Sequence, residues 1–154
     1  MSEIIFWRHA DAHDANEGQD DLERRLTVKG QRQAERVASW LDRNLPQQCR
    51  VFASPAKRSQ QTVRCLPRKC KTLTELSPGA RPEEVLAAVG WGVQTEPLVI
   101  VGHQPWIGEC IHWLLMEAAV PMTVRKGAAW WLQSRDREGE NEVIVRAVAT
   151  PELL

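Results

Sequence analysis

The strongest constraint in this 154-residue sequence is a set of short apolar runs that are unbroken rather than alternating. Ile4-Ile5-Phe6-Trp7, Val51-Phe52-Ala53 and Leu98-Val99-Ile100-Val101 would each put apolar side chains on both faces of an extended segment. A strand of that kind is stable where both faces are covered, as in a mostly parallel sheet held between helix layers. Each run also stops abruptly at polar residues: Arg8-His9, Ser54-Pro55 and Gly102-His103-Gln104-Pro105.

Helical spacing fills the intervals between the runs. Thr27 is the expected N-cap of a first helix whose Ala34, Val37, Ala38, Leu41 and Leu45 recur every three or four residues, with Pro46 as the stop. Ser54 and Pro55 read as N-cap and first-turn proline of a second helix, over 56–66, that Pro67 ends. Pro82-Glu83-Glu84 opens a third, ending near Gly90, with the acidic pair at the positive end of the helix dipole. A fourth carries Ile107, Cys110, Ile111, Leu114 and Leu115. Residues 10–26 are polar and acidic and read as a surface excursion, while 128–132 and 142–148 read as a β-hairpin around a polar turn at 135–141. The pattern predicts an α/β fold, a three-layer sandwich with a mostly parallel sheet and helices on both faces, built as one domain over residues 1–154.

Composition narrows the function classes. A formal net charge of zero supplies no global field to gather nucleic acid or an anionic membrane, so any anion must be captured by local charge. The first residues show no basic segment ahead of a long apolar run, and the later apolar stretches fall far below the roughly 20 residues of a membrane span. The expectation is a cytoplasmic protein with no membrane and no nucleic-acid partner. Its four cysteines, Cys49, Cys65, Cys70 and Cys110, are then expected to be free thiols, and no second Cys or His pair accompanies Cys65 and Cys70 at a metal-binding spacing.

In a parallel α/β sheet, ligands bind beyond the carboxyl ends of the strands. Three strand exits here carry Arg8-His9, Ser54 leading to Arg58, and Gly102-His103, so one sheet edge would gather two guanidinium groups and two imidazoles. Two cations in one small site repel each other unless an anion lies between them, and phosphate fits because guanidinium forks bind its oxygens in pairs. The first turn of the helix after His103-Gln104-Pro105 would add backbone N–H donors. A neutral imidazole beside bound phosphate is a nucleophile, and His9 is the best-placed candidate.

The strings Arg8-His9-Ala10, Ser54-Pro55-Ala56-Lys57-Arg58-Ser59-Gln60-Gln61-Thr62 and Val101-Gly102-His103-Gln104-Pro105, in that order and context, resemble the histidine phosphatase superfamily. The resemblance implies a phosphoglycerate mutase-like fold. The short chain and the segment Leu26-Thr27-Val28-Lys29-Gly30-Gln31-Arg32-Gln33-Ala34 look like the SixA-type phosphohistidine phosphatases. The resemblance implies that His9 attacks phosphorus and becomes phosphohistidine, that Arg8, Arg58 and His103, with Gln104, hold the phosphoryl oxygens, and that neither metal nor cofactor is needed. It further implies a phosphorylated protein substrate of the histidine-containing phosphotransfer type. Ala10 stands where the broader superfamily usually has glycine. The acid that protonates the leaving group corresponds most nearly to Glu75, with Asp11 second.

An imidazole leaving group asks less of such an acid than an alkoxide does. Residues 62–98 also leave too little chain for a large helical lid, which suits an open site facing a protein surface. The competing readings are a phosphatase of small phosphate esters or nucleotides, and a weakly catalytic module that binds phosphoproteins. Among the remaining candidates, His13 would touch substrate from the acidic loop, Trp106 would line the pocket, and His112 would be a packed or surface side chain.

Overall fold

The structure is a computed structural model, and it describes residues 2–154. Six strands form one sheet in the order β3-β2-β4-β1-β5-β6: β1 (Ser2–Arg8), β2 (Arg50–Ala53), β3 (Cys70–Thr72), β4 (Leu98–Gly102), β5 (Ala129–Arg137) and β6 (Glu140–Ala149). The first four are mutually parallel, and the hairpin β5-β6 adds antiparallel to β1. The helices are α1 (Val28–Asn44), α2 (Lys57–Arg64), α3 (Pro82–Ala88) and α4 (Trp106–Met116). No helix among the described residues is long and apolar enough to cross a membrane.

The unbroken runs are unbroken because both faces of the sheet are covered. Ile4 and Phe6 of β1 join Leu98 and Ile100 of β4 under Val85, Leu86, Ile107 and Ile111 of α3 and α4. The intervening Ile5 and Trp7 join Val99 and Val101 under Val37, Ala38, Leu41 and Val63 of α1 and α2. The period-2 alternation of a strand thus sends neighbouring residues into two separate cores.

Pairing register brings the three exits level. Arg8 lies opposite Gly102, and Ala53 opposite Val101, so β1, β4 and β2 end side by side at one edge. The loops are then tied across that edge: His9 N donates to Gly102 O at 3.0 Å and Ser54 N to Val101 O at 3.1 Å.

Local expectations fared unevenly. Thr27 caps α1, its hydroxyl accepting from Gly30 N at 2.9 Å. Ser54 does not cap α2: the helix begins at Lys57 with Ala56 at the cap position and no side-chain cap bond. The Ser54 hydroxyl instead accepts from Ala56 N at 3.2 Å, closing a serine turn that leads the chain from β2 into the helix. The hairpin also turns later than its polarity suggests. Its loop is only Glu138-Gly139, both with positive φ (55° and 83°), as a tight two-residue connection requires. Residues 135–137 read as turn because they are polar, yet they continue β5 beyond its pairing with β1, which ends at Ser134, and Arg135 pairs there with Glu142 at 3.1 Å. The three-residue edge strand β3 is exposed throughout and carries no apolar signal.

Candidate functional site

Arg8, His9, Arg58, His103 and Gln104 line one cavity of about 250 Å³ at the shared strand edge, together with Ala12, Asp14, Arg24, Pro78 and Lys126. Each of the principal side chains is fixed by its junction. His9 leaves β1 with its backbone held on both sides, since its N–H donates to Gly102 O and its carbonyl accepts from Gly127 N, both at 3.0 Å. The next amide, Ala10 N, donates to Thr62 Oγ1 at 3.1 Å. The Ala10 methyl is fully buried beside Leu26 and Ala34, so alanine is accommodated at this turn by packing against α1.

The imidazole of His9 lies 2.7 Å from Ala10 O through Nδ1. A carbonyl oxygen can only accept, so Nδ1 carries the proton and the lone pair belongs to Nε2. Burial, aided by the nearby charges of Arg58, Arg8 and Arg24 and opposed by the Ala10 bond, pushes the pKa of His9 down to about 3. The ring is neutral at physiological pH, which leaves the Nε2 lone pair available.

His103 sits 5.2 Å from His9 between ring centroids. Its Nε2 is 2.7 Å from the Ser54 hydroxyl and 3.4 Å from that of Ser59, and Trp106 meets it edge-on at 6.4 Å. Burial, then the proximity of His9 and Arg58, pushes its pKa down to about 2. Trp106 supports the ring from below and is fully buried, rather than lining the cavity.

Arg58 is buried and Arg8 half-buried, and each guanidinium is pinned at one end only. Arg8 Nη1 donates to Val124 O at 2.8 Å. Arg58 Nη1 donates to Asp21 O at 2.7 Å, and its Nη2 to Asp21 Oδ2 at 2.9 Å. Burial lowers both arginine pKa values, yet a guanidinium starting from 12.5 stays charged. Asp21 in turn joins Arg58 to Arg24, whose Nε lies 2.9 Å from Asp21 Oδ1. Burial opposes ionisation of Asp21, but hydrogen bonds from Arg24 and Arg58 together hold its carboxyl below the usual range.

Among the described residues, Arg8 Nε, Arg58 Nε and His103 Nδ1 are buried nitrogens without a hydrogen-bond partner. Three lining residues thus each hold unused polar capacity. Four cations, two neutral imidazoles and a single carboxylate, Asp14, make up the charged and titratable lining. That balance favours a small, multiply charged anion with several acceptor oxygens.

Two expectations need correction. Gln104 lines the cavity, but its side chain is engaged elsewhere: Nε2 donates to Met122 O at 2.6 Å, and Oε1 accepts from Gly108 N at 2.7 Å. Ile107 N likewise donates to His103 O at 3.0 Å, so these early amides of α4 are not free donors. Gln104 therefore ties the 117–126 loop to the start of α4 instead of offering an amide to an anion. Glu75 is exposed on a 3₁₀ turn, accepts from Thr74 Oγ1 at 3.0 Å and is not among the lining residues. Asp11 is no freer, since Thr27 Oγ1 donates to its Oδ2 at 2.7 Å and Lys126 approaches its Oδ1 at 3.3 Å. The Thr27 bond foremost, with Lys126, holds the Asp11 carboxyl below its ordinary value.

His13 also falls outside this cavity, in a neighbouring groove with Asp14 and Arg24. His112 is partly buried on α4, its Nδ1 bonded to Ala118 O. Sequence reading missed Arg24, Asp21, Asp14 and Lys126. Arg24 lies two residues before the recognised Leu26–Ala34 segment, which was the available signal, whereas nothing local marks Lys126.

The family model described as histidine phosphatase superfamily (branch 1) matches residues 4–85, which include most of β1, His9 and Arg58. This chain belongs to the histidine phosphatase superfamily. An uncharacterized protein of Picosynechococcus sp. is 31% identical over 148 residues, spanning 82% of this chain and 87% of that one. Among solved structures, SixA of Agrobacterium tumefaciens matches with a TM-score of 0.81 at 22% identity, covering 97% of each chain. The protein histidine phosphatase SixA complexed with tungstate matches at 0.75 and 23% identity, covering 98% of each. A phosphoserine phosphatase of Entamoeba histolytica, in complex with phosphoserine, matches at 0.73 and 16% identity over the whole of both. At these identities the structural matches establish a shared fold, and this superfamily member has the sheet and helix layers of both SixA and phosphoglycerate mutase-like proteins.

Proposed function

We propose that the chain is a phosphohistidine phosphatase that acts on phosphorylated proteins and carries the phosphoryl group transiently on His9. The observation that carries this reading is the His9 Nδ1 bond to Ala10 O, which leaves Nε2 with a lone pair inside a cavity lined by four cations. In the first step Nε2 attacks phosphorus in line. The Nε2–P bond forms as the bond from phosphorus to the substrate's imidazole nitrogen breaks, and the departing nitrogen takes a proton. Water then attacks the phosphorylated His9, releasing inorganic phosphate and returning the ring to its neutral form.

Arg8, Arg58 and His103 support this chemistry by meeting charge on the equatorial oxygens, the electrostatic work that dominates phosphoryl transfer. Preformed donors in a buried site do this without reorganising, and the reading calls on no metal ion. Asp14 is the one carboxylate of the lining, and in this reading it would relay the proton to the leaving group. A site of only about 250 Å³ flanked by exposed loops suits a phosphorylated side chain presented from a protein surface.

The test is turnover of a phosphohistidine-bearing phosphotransfer protein by the wild type and by His9→Ala, with acid-labile phosphate trapped on the wild type by rapid quench. The variant should lose turnover and label together. A variant that keeps near-normal hydrolysis overturns the nucleophile assignment. A higher kcat/KM on small phosphate esters than on the phosphoprotein overturns the substrate class.

A further inference from the structure

The larger grooves lie outside the catalytic cavity, and one of them has a composition at odds with the neutral chain. A groove of about 450 Å³ is lined by Val28, Lys29, Arg32, Gln33 and Arg36 of α1 and by Pro151 and Glu152 near the chain end. Lys29, Arg32 and Arg36 are spaced i, i+3 and i+7, which puts them on one helix face, and all three are exposed. Among the described residues none of them has a carboxylate partner within ion-pair distance. Glu152 is the only acidic lining residue, and it faces Arg125 at 4.0 Å.

Nothing in helix stability calls for such a stripe. Like charges at this spacing repel by a few tenths of a kcal/mol, and α1 carries Glu35 and Asp42 elsewhere on its surface, where they could have been interleaved. The groove is also joined to the catalytic cavity. Its floor residue Gln33 accepts from Asp11 N at 2.9 Å through Oε1, Asp11 pairs with Lys126, and Lys126 lines the cavity. Gly127 packs against Gln33 and Pro151 from the same loop.

We propose that this groove docks an acidic segment of the phosphorylated protein substrate, holding it while its phosphoryl group enters the cavity; the inference rests on the phosphoprotein reading above. Charge complementarity selects the occupant, because three unpaired cations beside one engaged carboxylate attract a locally acidic surface. Continuity with Lys126 selects the substrate itself over an unrelated ligand. The groove would then supply affinity and encounter rate without touching the reacting atoms.

The test compares wild type with the R32E/R36E double variant on two substrates, a phosphohistidine phosphotransfer protein and para-nitrophenyl phosphate, at low and high salt. The expected result is a drop of about tenfold in kcat/KM on the phosphoprotein at low salt, shrinking as salt rises, with para-nitrophenyl phosphate unchanged. An R64E/R137E variant makes the same net charge change on other surfaces and should behave as wild type. An equal loss in that control assigns the effect to net charge and overturns the groove, as does an unchanged phosphoprotein rate in R32E/R36E. If the reversal impairs both substrates through misfolding, R32Q/R36Q is read by the same criteria. A dimer that R32E/R36E dissociates without altering the phosphoprotein rate assigns the face to a second copy and overturns the proposal. Failure of the wild type itself to act on the phosphoprotein sinks the function first and the groove with it, whereas failure confined to R32E/R36E leaves the function standing.

Discussion

Gly102→Ala should destabilise the catalytic edge from beneath. Gly102 ends β4, its carbonyl accepts from His9 N at 3.0 Å, and the Trp106 ring lies directly against its Cα. A Cβ built there falls 2.0 Å from Trp106 Cζ2, 2.3 Å from Cη2 and 3.1 Å from Cε2. Carbon contacts are comfortable only near 3.5–4.0 Å, so the ring must retreat by roughly 1.5 Å or the strand must shift. Neither has room, because Trp106 is fully buried and braces His103. Overpacking of this kind costs about 1–3 kcal/mol, which lowers Tm by about 2–4 °C per kcal/mol in a domain of this size. Thermal unfolding followed by circular dichroism gives the stability, and para-nitrophenyl phosphate turnover should fall as His103 is displaced. The two closest atoms, Cζ2 and Cη2, lie on the far ring of the indole, beyond the reach of a single phenyl ring, so Trp106→Phe should relieve the strain. In the Trp106→Phe background, Gly102→Ala should be less costly by at least about 1 kcal/mol, a coupling a double-mutant cycle measures directly. A loss below about 0.5 kcal/mol, or the same loss in both backgrounds, refutes the steric account.

Arg58→Lys keeps the charge but replaces a planar fork with one ammonium, which cannot hold both Asp21 contacts and an anion; kcat/KM on para-nitrophenyl phosphate should fall by about 10²-fold, and a loss under threefold is contrary to the expected role. Folding also depends on pH through the two buried rings. His9 and His103 have folded pKa values of about 3 and about 2, below the ordinary 6.5, so the unfolded chain binds more protons as pH falls. Their contribution is fully present above pH 6.5 and is lost as pH drops below it, at up to about 1.4 kcal/mol per pH unit for each ring. Urea denaturation between pH 8 and 5 should show this slope, and H9A should remove part of it; a flat profile below pH 6.5 contradicts the burial argument.

The strand cores were legible because burial on both faces leaves an unbroken apolar run, and the strand-to-helix junctions because a chain leaving such a run must turn polar at once. Those two rules exposed Arg8, His9, Arg58 and His103 before any geometry was known. The hairpin turn and the exposed edge strand β3 were not legible, since strands that reach beyond the cores need no apolar pattern. Nor was the assignment of Gln104 and Glu75: both lie in strings that invite a role, yet one amide is held by Met122 and Gly108, and one carboxylate faces solvent.

What the sequence determined by itself is therefore which segments are strands and helices and which reactive side chains stand at their junctions, because those depend on local pattern and burial. Only the tertiary structure decided how these side chains are held. The tautomer of His9 follows from the turn at Ala10, the aim of Arg58 from Asp21, and the presence of Lys126 from the return of the chain after α4. Each depends on contacts between residues whose spatial proximity no local pattern encodes, and hydrogen-bond geometry becomes definite only when the strands have taken their register.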